Sequence, residues 1–547
     1  MGHYTRWLIA PAILGLILQI FCFSYYPSLR TAFNSKATPF FSAFICLWAI
    51  TMLEHWKRKQ GRTALEWGTN DFEKHETDRP DFRGSRISSY VDGSSILFFP
   101  PEEREQYTRQ SAVVVFLLIC VVIGIVASIY IIRQTFINHG VAPDNAQTYA
   151  SAINAVQIQL ANAGYSLVAT ELTKRENHRT TTAYEDYLTS KIFAFQFINS
   201  YASFFYIAFV AYHLEEQGCG ENGCMYALGS NLMIIFATRL LSGNFLELAV
   251  PFVIGIYRKY IGQCACCVYI ENCFRSKDDQ KIFSRAELEF TMAPFDSSAE
   301  VITDYMEISI QFGYQVLFVS ALPCSSFAAL ISNVIEVKGD SWKLMNLFQR
   351  PVPVLCEDIG AFQGILTVIT ICAVVSNAAI MRFTCTVLND FTQQTQWWIF
   401  VGFQYFMFLV MYLIDTAIES IPYEVELQRD RAKFLESKLI DRVSDETALL
   451  PPPTPDLVPL KEYKHFGSRV EISRSGGYAA TTGSKRYSKH PSFSERGRIA
   501  TSTVQASVSP SSGAGLGSNG KGTSALKEPL LADPVATVNP LPVPKTE

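Results

Sequence analysis

The sequence predicts an all-α, polytopic membrane protein of ten transmembrane helices with a disordered cytosolic C-terminal tail. Three observations carry this reading. Of 547 residues, 49% are hydrophobic and only 18% are charged, and the apolar ones gather in blocks of about 20, enough to cross a hydrocarbon core roughly 30 Å thick. Basic residues recur beside alternate blocks, which gives the chain an inside and an outside. Beyond about residue 444 the composition turns to Pro, Ser, Gly and Thr with few aromatics, too little apolar surface to offset the entropy of ordering. A membrane β-barrel would show short alternating segments instead. The net charge of −4 implies no nucleic-acid partner, because the basic residues do not form a patch.

The spans fall at about 7–24, 38–55, 111–134, 148–171, 190–212, 226–256, 300–321, 323–341, 358–384 and 395–421. The run Trp7 to Phe23 lacks a small-residue cleavage site, so it reads as a first span and not a cleaved signal peptide. The basic stretches 56–62, 174–179, 257–259 and 429–433 follow alternate spans and belong on the cytosolic side. The loops at 25–37, 135–147, 213–224 and 385–394 carry few basic residues and face away. Both termini are then cytosolic. The expected organisation is a membrane domain over 1–422, an amphipathic cytosolic helix over 423–443 and the tail over 444–547. Within the tail, Asp445 to Leu450 has the form of an acidic dileucine sorting signal. Cys219 and Cys224 share one short loop and could form a disulfide if it faces an oxidising side. Cys264, Cys266, Cys267 and Cys273 lack a second ligand pair at zinc spacing, so reduced or palmitoylated thiols fit them better than a metal.

The chemistry is in the acids. Glu247, Asp304, Glu307, Glu336 and Asp340 lie inside long apolar segments. Ionised near mid-bilayer they would together cost roughly 12–17 kcal/mol, at roughly 2.5–3.5 kcal/mol each. Residues three or four apart share a helix face, so Asp304 points with Glu307 and Glu336 with Asp340. A tight turn at Leu322-Pro323 should make their spans antiparallel neighbours, with Glu247 closing the set. Five carboxylates without His or Cys select a hard cation, and their oxygen count fits calcium better than magnesium, most simply as two ions sharing ligands. The alternatives are acids that are protonated, paired with lysine or interfacial, and a proton relay, which no inverted repeat supports. Glu54 and Asp415 form a weaker pair, either interfacial acids or a second cation site if their spans touch.

The fourth and fifth spans are polar for lipid-facing helices. Gln157, Asn162, Tyr165 and Ser166 on one, with Gln196, Asn199 and Ser203 on the other, could line a wet furrow for ions or lipid headgroups. The same residues could instead bond the helices to each other.

The segments LWAITMLEHWKRKQ, SKIFAFQFINSYASFFYIAFV, GCGENGC, DYMEISIQFGYQVLFVSALP and ISNVIEVKGDSWKLMNLFQRPVPVLCEDIG occur in the order and form that resemble the anoctamin family of calcium-activated chloride channels and phospholipid scramblases. The resemblance covers nearly all of residues 1–440. It implies a paired-calcium site on Glu247, Asp304, Glu307, Glu336 and Asp340, and a further calcium site on Glu54 and Asp415. It also implies a permeation groove built from spans three to seven, a homodimer, and phospholipids with chloride or other small ions as what moves. Gly243 stands where relatives often carry an Asn ligand; a glycine one turn before Glu247 suits a hinge. The chain starts inside what looks like the family's first span, so an N-terminal cytosolic domain is expected to be missing. The loop between spans nine and ten is short, which leans toward scramblases or intracellular members.

The expected function is thus a calcium-activated phospholipid scramblase with accompanying ion conductance. A calcium-activated chloride channel is the alternative, and a non-conducting tether or scaffold a further one. No covalent chemistry and no nucleotide-binding motif are implied, so the chain is not an enzyme. The membrane of residence, plasma membrane or endomembrane, is left open.

Overall fold

The computed structural model describes residues 1–91, 93–211, 219, 222–240, 249–250, 252–253, 284, 286, 289–290 and 292–440. Glu247, Gly243, the four cysteines from Cys264 to Cys273 and the tail therefore lie outside the described residues.

The described chain is mostly helical. In order it forms α1 (Gly2–Trp7), α2 (Ile9–Tyr25), α3 (Leu29–Phe33), α4 (Thr38–Trp67), α5 (Pro101–Asn138), α6 (Pro143–Arg175), α7 (Thr181–Phe205) and α8 (Cys224–Thr238). After these come α9 (Ser297–Leu317), α10 (Ser325–Asn346), α11 (Ala361–Ala379), α12 (Gln393–Ala417) and α13 (Tyr423–Leu439). A described helix overlaps each of the ten expected spans. Among the described residues five helical segments are long and apolar enough to cross a membrane, Leu29–Trp67, Pro101–Asn138, Thr181–Val210, Ala361–Thr384 and Gln393–Ala417, which makes this a multi-pass membrane protein. α2 and α8 are apolar but shorter. α6, α9 and α10 have the length, and their amides and charges lower their apolarity.

Local chemistry sets the helix ends. Prolines open α4, α5 and α6 within the first turn, where a missing N–H does no harm. Side chains of Thr180, Asp296 and Thr392 accept from first-turn amides of α7, α9 and α12. Gly68, at φ +69°, closes α4 in the left-handed conformation that glycine tolerates. α7 and α11 each finish in a wide π-helical turn, Tyr206–Val210 and Ile380–Thr384, and Thr384 Oγ1 donates to Ala208 O at 2.6 Å across them.

One element departs from an all-helical chain. Strands β1 (Ser85–Ser88) and β2 (Ser95–Phe98) pair antiparallel, with Ile87 opposite Ile96, between α4 and α5. The segment is anchored nearby, where Asn177 accepts from the Arg83 amide at 3.0 Å and donates to its carbonyl at 2.7 Å. Cys219 and Cys224 are joined by a disulfide.

The core lies where α4, α7, α9 and α11 meet. Tyr201, Phe204, Tyr314 and Phe318 are fully buried there, ring against ring, and Phe312 is buried against Trp48. α9 packs most extensively on α11, and α10 packs chiefly on α2. The α9–α10 contact is slight, so the Leu322-Pro323 turn does not lay the two helices side by side along their length.

Candidate functional site

α9 carries Asp304 and Glu307 one turn apart, both half-buried, and α10 carries Glu336, only 5% exposed, with Asp340 half-buried one turn on. Glu336 and Asp304 both act electrostatically on the Met1 amino group, and Glu336 also acts on the Tyr4 hydroxyl. Two cations that the sequence reading did not assign stand close by. Lys343, 3% exposed, places Nζ 3.4 Å from Asp340 Oδ1. Arg239, just past α8, donates to Glu307 O at 3.4 Å and lies 5.7 Å over the Tyr314 ring. Among the described residues no three His, Cys, Asp or Glu side chains converge tightly enough to hold a metal ion. The all-carboxylate donor set suits calcium in its chemistry.

The second acid pair meets through a lysine. Glu54 on α4 is fully buried, and its Oε1 accepts from Lys57 Nζ at 2.6 Å. The same Nζ lies 3.6 Å from Asp415 Oδ1 on α12. Among the described residues no donor reaches the buried Glu54 Oε2. An orphaned buried carboxylate oxygen beside a second carboxylate fits a hard cation. Arg58 Nη1, donating to Glu419 O at 2.8 Å, and Arg62, 3.6 Å from Glu424, hold α4 to the chain that follows α12.

The polar residues of α6 and α7 bond mainly to each other. Gln157 Nε2 donates to Asn199 Oδ1 at 2.9 Å, and Asn199 Nδ2 donates to Asn162 Oδ1 at 2.8 Å and Ile158 O at 3.2 Å. Ser203 Oγ accepts from Asn154 at 3.1 Å and from Asn231 of α8 at 3.2 Å. Tyr165 stacks on Phe195 at 3.9 Å and donates to Lys191 O at 3.0 Å. Ser166 bonds its own helix at Ala163 O, and Gln196 is half-buried on α7. Much of the face expected as a wet furrow is a hydrogen-bonded seam in this structure, because Gln157, Asn199 and Asn162 pair amide to amide and Asn154 reaches the Ser203 hydroxyl. Arg133, 1% exposed on α5, sits one turn from Tyr130, whose hydroxyl donates to Ser203 O at 3.4 Å.

α7 joins the seam to α9, the helix that carries Asp304 and Glu307. Tyr201 OH donates to Ile310 O at 2.8 Å, and Tyr314 OH donates to Ser200 O at 3.1 Å. A Cβ on Gly313 would meet the Tyr201 hydroxyl at 1.9 Å, so glycine is what lets α9 approach this ring. At the other end of the seam, Glu176 is fully buried and accepts from Lys191 Nζ at 2.7 Å, with His178 Nε2 at 2.8 Å. Burial alone would raise its pKa; hydrogen bonds to His178, Lys191 and Ser111 outweigh burial and hold it below the ordinary glutamate value.

Comparison with known proteins follows the same residues. A family model described as "Anoctamin: Calcium-activated chloride channel" matches residues 1–432. Mouse Anoctamin-7 is 28% identical over 456 residues, 70% of this chain and 50% of its own. Human Anoctamin-4 is 30% identical over 394 residues, 66% of this chain and 40% of its own. Human Anoctamin-5 is 28% identical over 393 residues, 65% and 42% respectively. The chain spans about half the length, or less, of these curated relatives. With the family match running from the first helix through most of α13, the chain belongs to the anoctamin family.

Proposed function

We propose that this chain is a calcium-activated phospholipid scramblase that also passes small ions, working as a homodimer with both termini in the cytosol. The observation that carries this reading is that α9 and α10 bear four carboxylates and that α9 is bonded through Tyr201 and Tyr314 to α7, which carries part of the polar seam. Glu247, Asp304, Glu307, Glu336 and Asp340 would hold calcium, with Glu54 and Asp415 as a further site. Bound calcium supplies the positive charge that cancels their mutual repulsion; two ions would take five carboxylates from −5 to −1.

The chain's own residues do the rest. Without calcium the carboxylates would repel one another; Glu247 as a further ligand and Gly243 as a hinge, both outside the described residues, belong to this proposal. With repulsion cancelled α9 would shift, and the Tyr201 and Tyr314 bonds would pass the shift to α7. The seam amides then exchange one another for water and headgroups, so headgroups travel along α6 and α7 while acyl tails stay in the bilayer. The exchange is passive, and no bond is made or broken.

Arg133 favours the chloride-channel alternative, since a buried guanidinium beside the seam is the kind of group an anion path uses. Liposomes with fluorescent lipid separate the readings by dithionite bleaching and by anion flux, with and without calcium. Calcium-dependent bleaching past the outer-leaflet half, lost in Glu307→Gln, supports the scramblase. Anion flux without lipid movement replaces it with the channel. Movement of neither, with a cellular phenotype that depends on residues 445–547 and not on Glu307, makes the chain a tether.

A further inference from the structure

A lysine lies where an ion would have to go. Glu54 and Asp415 come from helices far apart in sequence, and between them stands Lys57 Nζ, 2.6 Å from Glu54 Oε1 and 3.6 Å from Asp415 Oδ1. Calcium takes its oxygens at roughly 2.3–2.6 Å. An ammonium already 2.6 Å from Glu54 Oε1 cannot share that space with a calcium ion on the same oxygen. Geometry and charge act in the same direction, because a positive neighbour a few Å away opposes a second cation.

The lysine is built to leave. Its side chain is 27% exposed, while that of Glu54 is only 1% exposed. Lysine is a flexible point-charge donor with no fixed fork geometry, so it can swing into water without breaking a bidentate pair. Glu54 Oε2, buried and reached by no donor among the described residues, shows that the ammonium satisfies only half of the carboxylate.

We propose that Lys57 is a tethered stand-in cation: it holds α4 to α12 without calcium and must be displaced before Glu54 and Asp415 can take an ion. Lys57 thereby sets the calcium threshold of this site. The proposal rests on the reading of Glu54 and Asp415 as a calcium site.

The test measures binding, not transport. In the full chain carrying Glu307→Gln and Glu336→Gln to silence the other acids, radioactive calcium binding is measured for Lys57 and for Lys57→Met. Removing one adjacent positive charge should tighten binding roughly tenfold or more, and adding Glu54→Gln should abolish it. Equal or weaker binding by Lys57→Met overturns the displacement proposal while the site stands. Binding by neither protein overturns both the site and the proposal. Should the multiple variants not fold, Lys57→Gln in the otherwise native chain keeps the question open to refutation through calcium-dependent melting. There the proposal requires a lower calcium-free Tm than wild type and a larger calcium-induced rise; a smaller or equal rise contradicts it.

Discussion

Glu336, 5% exposed on α10, is the most buried of the four described carboxylates and so has the greatest need for a compensating charge. Glu336→Gln should weaken calcium binding at least roughly tenfold by removing one full ligand charge, measured by calcium titration of the purified protein. Glu176 makes a pH prediction. Its folded pKa is held below the ordinary value of 4.5, so its stabilising contribution is complete above that value and is lost as pH falls through the folded pKa. Melting followed against pH should show acid destabilisation starting below about 4.5 that Glu176→Gln removes. Glu176→Gln should also lower stability at neutral pH by about 3 kcal/mol or more, because Lys191 loses its buried partner. Lys57 and Lys343 show where sequence reading stops at this scale. Both were legible as basic residues, Lys57 within a stretch that signals topology, but spacing alone does not reveal that each ammonium turns onto a carboxylate three residues back.

The elements were more legible than their faces. Apolar blocks of span length mark the helices because a lipid-embedded backbone must satisfy itself. The β1–β2 hairpin went unread, since its short Ser-rich strands carry only a brief alternation through Ile87 and Ile96. The α6–α7 polar residues were visible, but periodicity says which residues share a face, not what that face meets. Their pairing makes the seam testable. Asn199→Ala removes the acceptor for Gln157 and the donor to Asn162. It should raise calcium-independent lipid movement above wild type in the bleaching assay, because the seam then needs less charge at α9 to part. Gly313→Ala should act oppositely on coupling. Its methyl group displaces the Tyr201 ring from Ile310, so calcium would still bind while lipid movement falls, with a stability loss of about 1–3 kcal/mol from overpacking.

At the scale of the molecule, α11 is the central post between α9 and α4, fixed to the end of α9 by Ser376 and Asn377, which donate to Leu317 O at 2.9 Å and Val316 O at 2.7 Å. α11 therefore packs on α9, which bears Asp304 and Glu307, and on α4 and α12, which bear Glu54 and Asp415. An ion that binds only the folded state raises stability with concentration, by about 2.7 kcal/mol at a hundredfold excess over Kd. Whether the acids of α9 and α10 hold calcium is decided by calcium-dependent melting of the purified full chain. Tm should climb with calcium, and climb much less in Asp304→Asn/Glu336→Gln at the same concentrations. A wild-type Tm indifferent to calcium, or a double variant that climbs as far as wild type, would contradict calcium binding there.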